Sequence, residues 1–389
     1  MKFGRFLLVG IFASAIPSAY GEEAQPNDPG VYDDRIEFGQ SAAFTGPAQE
    51  LGINLNIGIQ VAFDEVNARG GVHGRRFDLV KLDDQYEPGL AAENTQQLIS
   101  DHHVFALIGE VGTPTSKAAL PVILRSQVPF IGPFTGAPFL REAEAHDWVI
   151  NFRASYFEET EKMVEFLTED LGVNRIGMVY QDDSFGQVGY QGILNAMARR
   201  NMNLVGTGIY ARNTVAVKTA LLDVEYGKPE AIVIIGAYRP TAELIMWARY
   251  IGMNPTFITL SFVGSNALAN QLGDRGLGVY VTQVVPLPTA QDLKLTQSYH
   301  KALEEYTDGV TPGFISYEGY IIGRLTIELM ERTGANPTRE ALMNTMRSTT
   351  EMTIDDFTLT YSPEDNQGSN SVFITKIGAG KRYLNVERN

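Results

Sequence analysis

The chain of 389 residues contains no cysteine. That absence removes disulfides, thiolate nucleophiles, zinc–cysteine sites and iron–sulfur clusters together. Basic residues are also scarce. Lys and Arg number 31 against 46 Asp and Glu, giving a formal charge of −15. A nucleic-acid binder needs a basic surface to neutralise phosphates, so that class is excluded. Histidines number five, at His73, His102, His103, His146 and His300. None stands in a metal-ligand spacing, and the adjacent pair 102–103 is expected on the surface. No GxSxG elbow, P-loop, GxGxxG or HExxH motif occurs, and no nucleophile has a base beside it. Neither a cofactor nor a metal is expected. An enzyme would have to rest on Asp182, Asp183 and Glu110 alone. Beyond residue 36 no apolar run reaches 18 residues, so nothing there is expected to span a bilayer.

The N-terminus does carry one short apolar run. Residues 1–21 read MKFGRFLLVGIFASAIPSAYG, with charges only at Lys2 and Arg5 and 11 apolar or small residues from Phe6 to Ile16. Ala19 and Gly21 stand at the −3 and −1 positions of a cleavage site. This is the pattern of a secretory signal peptide, too short for a membrane span of roughly 20 residues. Cleavage would leave 368 residues at a charge of −17, because two basic residues and no acid are lost. Residues 22–34 (EEAQPNDPGVYDD) are expected to be a flexible lead. A periplasmic location follows from export.

From Arg35 onward, short β-rich runs alternate with helical patterns. Strands are predicted at 35–44, 77–82, 104–108 and 129–131, with helices at 51–69, 88–100 and 114–125 between them. The pattern restarts with strands at 175–180, 204–210, 231–235 and 256–260 and helices at 158–171, 185–200, 215–222 and 241–251. Such alternation implies parallel sheets flanked by helices. The remainder, with helices at 290–307, 316–334 and 338–346 and a terminal pair of strands at 357–361 and 371–377, is too little for a third domain. It is expected to cross back and complete the two earlier units, leaving two lobes with a cleft between them.

In parallel sheets ligands gather at the carboxyl ends of the strands. The loops expected there are rich in small hydroxyl residues and glycine: AFTGP after the first strand, GEVGTPT after the third, and PFTGA after the fourth. In the second unit they are QDDSFG, GAYR and SF. Hydroxyls and free N–H groups at a helix start suit an anion, in particular a carboxylate. Phe44, Phe134, Phe185, Tyr238 and Phe262 are placed to wrap an apolar body. Taken singly, each Thr is explained as well by capping and each aromatic by core packing. Their convergence at strand ends is what points to a binding cleft. The acidic pair Asp83-Asp84 reads as turn capping. Asp182-Asp183 reads equally as capping or as a partner for a cation or ammonium.

Six segments together resemble the type I periplasmic binding proteins, above all the leucine/isoleucine/valine-binding branch that serves ABC importers. They are AFTGPAQELG (43–52), EVNARGGVHGRRFDLVKLDD (65–84), ALIGEVGTPTS (106–116), VPFIGPFTGA (128–137), RIGMVYQDDSFGQVG (175–189) and AIVIIGAYRP (231–240). The resemblance spans residues 35–380. It implies an α/β protein of two lobes joined by three crossings, closing on a ligand like a hinged trap. It implies an N-terminal lobe of 35–157 plus 285–369 and a C-terminal lobe of 158–284 plus 370–389. It also implies a small-molecule ligand, an amino acid or related carboxylate, and an ABC permease in the inner membrane as partner. A monomer is expected.

By the same resemblance, the ligand carboxylate meets Thr113, flanked by Val111 and Gly112, and further contacts come from Phe134, Thr135 and Gly136. Phe185 and Tyr238 match the aromatic positions of the second lobe, and Leu51 the aromatic of the first loop. The family's ammonium-binding acid falls on Ser261, in TLSFVGS, and Gly136 stands where a hydroxyl is common. Asp183, Glu110 or Glu318 is then the candidate to replace the missing carboxylate, unless the ligand lacks an α-amino group. The family serves sensing as well as transport, so a module presenting bound ligand to a membrane sensor is the alternative.

Overall fold

The computed structural model describes Met1 and residues 28–386. The expected export signal, apart from Met1, and the first part of the expected lead lie outside the described residues.

The first sheet has five strands: β1 (Arg35–Ala42), β2 (Arg76–Asp83), β3 (Ala106–Ile108), β4 (Phe130–Ile131) and β5 (Val149–Ile150). Their order is β2-β1-β3-β4-β5, and every pairing is parallel. Helices α1 (Gln49–Ala68), α2 (Pro88–Ser100) and α3 (Thr113–Ser126) make the crossovers. The chain then enters α4 (Tyr156–Glu165), where Ser155 and Glu158 form a reciprocal capping box that fixes the helix start.

The second sheet has seven strands in the order β14-β13-β10-β9-β8-β6-β7. Five of them, β6 (Ile176–Gln181), β7 (Gly206–Tyr210), β8 (Ala231–Ile235), β9 (Thr256–Thr259) and β10 (Tyr280–Gln283), are parallel. Strands β6 (IGMVYQ) and β8 (AIVII) are buried at every position, as central strands covered on both faces must be. Helices α5 (Ser184–Ala198), α6 (Lys218–Glu225), α7 (Tyr238–Tyr250) and α8 (Ser265–Leu272) connect them.

The remaining chain returns to the first lobe. Helices α9 (Lys294–Tyr306) and α10 (Phe314–Thr333) pack on α1, and α11 (Arg339–Ser348) packs on α10. The contact of α1 with α10 is close because glycines face backbone on both sides. A Cβ on Gly58 would fall 1.9 Å from Ser316 O, and one on Gly319 2.3 Å from Leu55 O. Between the sheets the chain crosses three times, over 151–155, 284–293 and 361–372.

Two expectations fail. The strands near 357–361 and 371–377 do not pair with each other. Instead β12 (Phe357–Thr360) forms a hairpin with β11 (Glu351–Ile354), while β13 (Phe373–Ile377) joins β10 antiparallel and is followed by β14 (Tyr383–Asn385). The tight Asp355-Asp356 turn, with Asp355 at φ 56°, supplies a nearer partner than the distant run. The expected flexible lead is also anchored over its described part, 28–34. Val31 bridges Ile36, Arg75 Nε donates to Tyr32 O at 2.7 Å, and Arg339 N donates to Asp28 Oδ2 at 2.6 Å. Gly30 is wedged against Phe105, where a Cβ would lie 2.2 Å from its N. Acidic composition concealed this apolar and backbone docking.

Candidate functional site

The carboxyl ends of both sheets face one cleft, and the loops there converge. Gly112, at φ 112°, caps α3, and Thr113 begins that helix. A side chain at 112 would clash with Tyr86, whose ring would be 2.3 Å from the added Cβ. Val111 bridges Phe134, with Phe134 N donating to Glu110 O at 2.7 Å and Gly112 N to Phe134 O at 3.2 Å. This pairing brings the loops after β3 and β4 side by side. It leaves Thr113 Oγ1 2.7 Å from Thr135 Oγ1, both buried. Gly136 has its reason in the next element: a Cβ there would lie 2.6 Å from Tyr156 N and its ring. Tyr156 thus takes the space that a hydroxyl side chain at 136 would need.

Aromatic rings from both lobes meet at Phe262, in the loop after β9. Its ring centroid is 5.4 Å from Phe134, 4.7 Å from Phe185 and 6.0 Å from Tyr86. Tyr156 lies 5.4 Å from Phe185. Leu51 and Tyr238 meet at Gly264, whose added Cβ would stand 2.9 Å from Leu51 and 3.4 Å from Tyr238. The structure therefore draws together Leu51, Phe134, Phe185 and Tyr238, which the sequence suggested, and adds Tyr86 and Tyr156.

Beside the rings lies a charged cluster. Arg153, in the first crossing, is wholly buried and sits 5.0 Å over Phe134 and 5.7 Å over Tyr156. It pairs with Glu159 at 3.0 Å and with Glu318 of α10 at 3.5 Å. Arg153 Nη2 also donates to Ser261 Oγ. Glu159 accepts from Ser261 N at 3.0 Å and Ser261 Oγ at 2.9 Å, and from Thr282 Oγ1. The position at Ser261 thus lacks an acid in sequence but holds one in space, delivered by α4. Arg153 Nε and Glu318 Oε1 are buried without a hydrogen-bond partner among the described residues. Burial raises the Glu318 carboxyl to about 7, with Arg153 opposing and Glu159 reinforcing the shift.

The other two candidate acids are differently placed. Asp183 caps α5, accepting from Phe185 N at 2.9 Å and Gly186 N at 3.3 Å, and it also receives Gln181 Nε2 at 2.6 Å and faces Arg212 at 3.5 Å. The capping is realised there, and its remaining oxygen faces the chain's own Gln181 and Arg212. Glu110 is buried, with Oε1 lacking a hydrogen-bond partner. Burial, then the neighbouring Asp84, push its carboxyl well above the usual range. Asp83 and Asp84 cap the turn that follows them. Asp83 accepts from the backbone N–H of Phe44, Thr45 and Gln85, and Asp84 from Tyr86 N and Ser41 Oγ. Among the described residues no group of three or more His, Cys, Asp or Glu could hold a metal, and no helix is long and apolar enough to cross a membrane.

Sequence reasoning missed Arg153, Glu159, Tyr86 and Tyr156. One signal was available for Arg153, a lone charge inside the otherwise uncharged stretch VINFRASYF. Glu159 offered none, because a single acid on an amphipathic helix reads as solvated.

The periplasmic binding protein family matches residues 35–382. A crystal structure described as a possible leucine/isoleucine/valine-binding protein from Rhodopirellula baltica SH 1 is 37% identical, with a TM-score of 0.86, covering 94% of this chain and 98% of that one. The Leu/Ile/Val-binding protein of Escherichia coli (strain K12) is 22% identical over 276 residues, 70% of this chain and 72% of the relative. A branched-chain amino acid transporter substrate binding protein from Streptococcus pneumoniae, solved in complex with isoleucine, shares the fold with a TM-score of 0.78 at 16% identity, covering 91% of this chain and 99% of that one. The chain belongs to the periplasmic binding protein family.

Proposed function

We propose that the chain is the exported, periplasmic substrate-binding component of an ABC importer. It captures an apolar, branched-chain-like amino acid between its lobes and delivers it to a membrane permease. It acts as a monomer, with lobes of 35–157 plus 285–369 and 158–284 plus 370–389. The ligand carboxylate rests on Thr113 and Thr135 and on the backbone around Val111, Gly112 and Gly136, at the start of α3, where helix N–H groups favour an anion. Leu51, Phe134, Phe185 and Tyr238 enclose the side chain. Ser261 contributes indirectly, by holding Glu159 and Arg153.

The single observation that carries this reading is the buried Glu318 Oε1, which makes no hydrogen bond and only a 3.5 Å ion pair with Arg153. The Arg153 guanidinium is shared by two carboxylates, with Arg141 acting on Glu318 more weakly, and a buried carboxylate oxygen without a hydrogen bond is costly unless compensated. A proton compensates it in the free protein, and a ligand ammonium does so in the complex. Such a site suits a zwitterion better than a simple acid. The leucine, isoleucine and valine in the name of the Escherichia coli relative, and the isoleucine of the streptococcal complex, agree with that class. Hinge closure follows from a ligand that contacts both lobes and so favours the closed state.

The test is thermal unfolding of the purified protein against a panel of the common L-amino acids and small organic acids. Stabilisation by leucine, isoleucine or valine is expected, since a ligand at 100 times its Kd adds about 2.7 kcal/mol. No shift with any member of the panel, confirmed by calorimetry, would remove the assignment.

A further inference from the structure

The crossings stand at one end of the cleft, and one edge strand of each sheet stands at the other. The first crossing leaves from β5, one edge of the five-stranded sheet, and the others leave β10 and enter β13. The far edges are β2 and β7. The loops that follow these two strands, 84–87 and 211–217, touch each other across the cleft. Arg212 Nη2 donates to Glu87 Oε2 at 2.7 Å, and Asn213 Nδ2 donates to Glu87 Oε1 at 2.7 Å and to Gln85 O at 3.2 Å. One carboxylate of the first lobe is therefore held at both oxygens by adjacent residues of the second.

Both loops are set for this contact before they meet. Gln85, Tyr86 and Asn213 adopt left-handed φ values of 54°, 63° and 57°. Such backbone is unfavourable for Gln and Tyr unless the surroundings fix it, whereas Asn adopts it readily. In the first lobe the fixing groups are Asp83, which holds Gln85 N at 3.0 Å, and Asp84, which holds Tyr86 N at 2.8 Å. In the second lobe Asp183 faces Arg212 at 3.5 Å and orients the guanidinium from behind. Tyr86, between Gln85 and Glu87, then turns inward. Its hydroxyl accepts from Gln181 Nε2 at 3.3 Å while its ring packs on Phe262.

We infer that Glu87, Arg212 and Asn213 form a clasp at the mouth of the cleft that stabilises the closed arrangement of the lobes. They are positioning residues: they touch no ligand, but closing the clasp seats Tyr86 among the ligand-enclosing rings. The contact lies as far from the crossings as the sheets allow, so even a small opening of the hinge separates it. A charge-assisted bidentate contact is strong for its size, yet at a partly exposed site salt weakens it. The clasp is thus a closing device that works without ligand and is read separately from the proposed amino-acid binding.

The chain has no cysteine, so two introduced ones label cleanly. Glu93→Cys on α2 and Asp223→Cys on α6, both exposed, carry spin labels on the two lobes, and pulsed dipolar spectroscopy gives the distance distribution of the ligand-free protein. A closed population is expected at low salt. Glu87→Gln and Arg212→Gln each reduce the closed-to-open ratio by about five-fold, on the scale of a partly exposed ion pair, and 1 M NaCl does the same to the unaltered clasp. Glu87→Gln keeps shape and volume, so it decides the matter even if Arg212→Gln folds poorly. Absence of a closed population without ligand, or a ratio unmoved by Glu87→Gln and by salt, overturns the clasp. A protein that binds no amino acid but keeps this ratio change would overturn the proposed ligand and leave the clasp standing.

Discussion

Arg153 Nη1 lies 3.5 Å from Glu318 Oε1, an ion pair that ties the first crossing to helix α10 of the first lobe. The same guanidinium reaches Glu159 of α4 at 3.0 Å. The hinge region is thus wired to both lobes through one buried cation, which stands directly against the aromatic cluster. Buried pairs of this kind add little net stability over a well-packed apolar core, but removing one partner is expensive. Under the proposed function, their place beside the cleft serves recognition of a charged ligand.

The free protein is expected to lose stability as pH rises from about 5 to about 8. Glu318 and Asp84 are each raised to about 7 by burial, from ordinary values of 4.5 and 3.8, and Glu110 is shifted in the same sense. In this window the folded protein holds protons that the unfolded chain has released, so the stability present at low pH is lost as pH passes the folded values. Asp83 and Asp356, held below the usual range, are ionised throughout and contribute no slope. Glu318 contributes up to about 3 kcal/mol and Asp84 up to about 4 kcal/mol. Urea unfolding at intervals of pH checks this. Glu318→Gln should flatten the slope, and stability that rises with pH would contradict it.

Arg153→Met should destabilise the fold by about 3–5 kcal/mol at pH 8, because it leaves Glu159 and Glu318 buried without their shared cation. Adding Glu318→Gln to that variant should recover part of the loss. Urea unfolding of the two variants separates these outcomes. Equal stability of both would mean that the carboxylates do not interact through Arg153.

Gly58→Ala should cost about 1–3 kcal/mol or more by forcing α1 away from α10, since its Cβ would stand 1.9 Å from Ser316 O. Gly70→Ala, with nothing within 4 Å of its added Cβ but a φ of 98°, tests backbone strain alone. Thermal unfolding should rank Gly58→Ala as the more damaging.

Thr113→Ala should weaken leucine binding by roughly 10- to 100-fold, the range for one hydrogen bond to a charged group. Thr113→Ser should retain most of the affinity. Calorimetric titration with L-leucine distinguishes the two, and unchanged affinity in the alanine variant would remove Thr113 from the carboxylate site.

The alternation of short apolar strands with helical periods was enough to read two α/β units, because β8 is uniformly apolar, β6 is apolar up to its final Gln181, and the helices have clear apolar faces. The strand pairing at the C-terminal end was not legible. Residues 373–377 (FITKI) read only as a generic short strand, and tertiary contact with β10 selects their partner. In the site, the loops carrying Thr113, Phe134 and Phe185 could be located because they follow strands directly. The charged cluster could not, because Arg153 and Glu159, six residues apart, meet Ser261 and Glu318 from two distant segments. What joins them is the crossing geometry, and no local spacing encodes it.

The most direct measurement is calorimetric titration of the protein at pH 7.5 with L-leucine and with 4-methylpentanoate, its counterpart without the amino group, repeated on Glu318→Gln. L-leucine is expected to bind at least about ten-fold more tightly than the deaminated acid, and Glu318→Gln should erase most of that difference, as loss of a charged hydrogen-bond partner requires. Equal affinity for the two compounds, or a preference that survives Glu318→Gln, would contradict capture of a zwitterionic amino acid at this site.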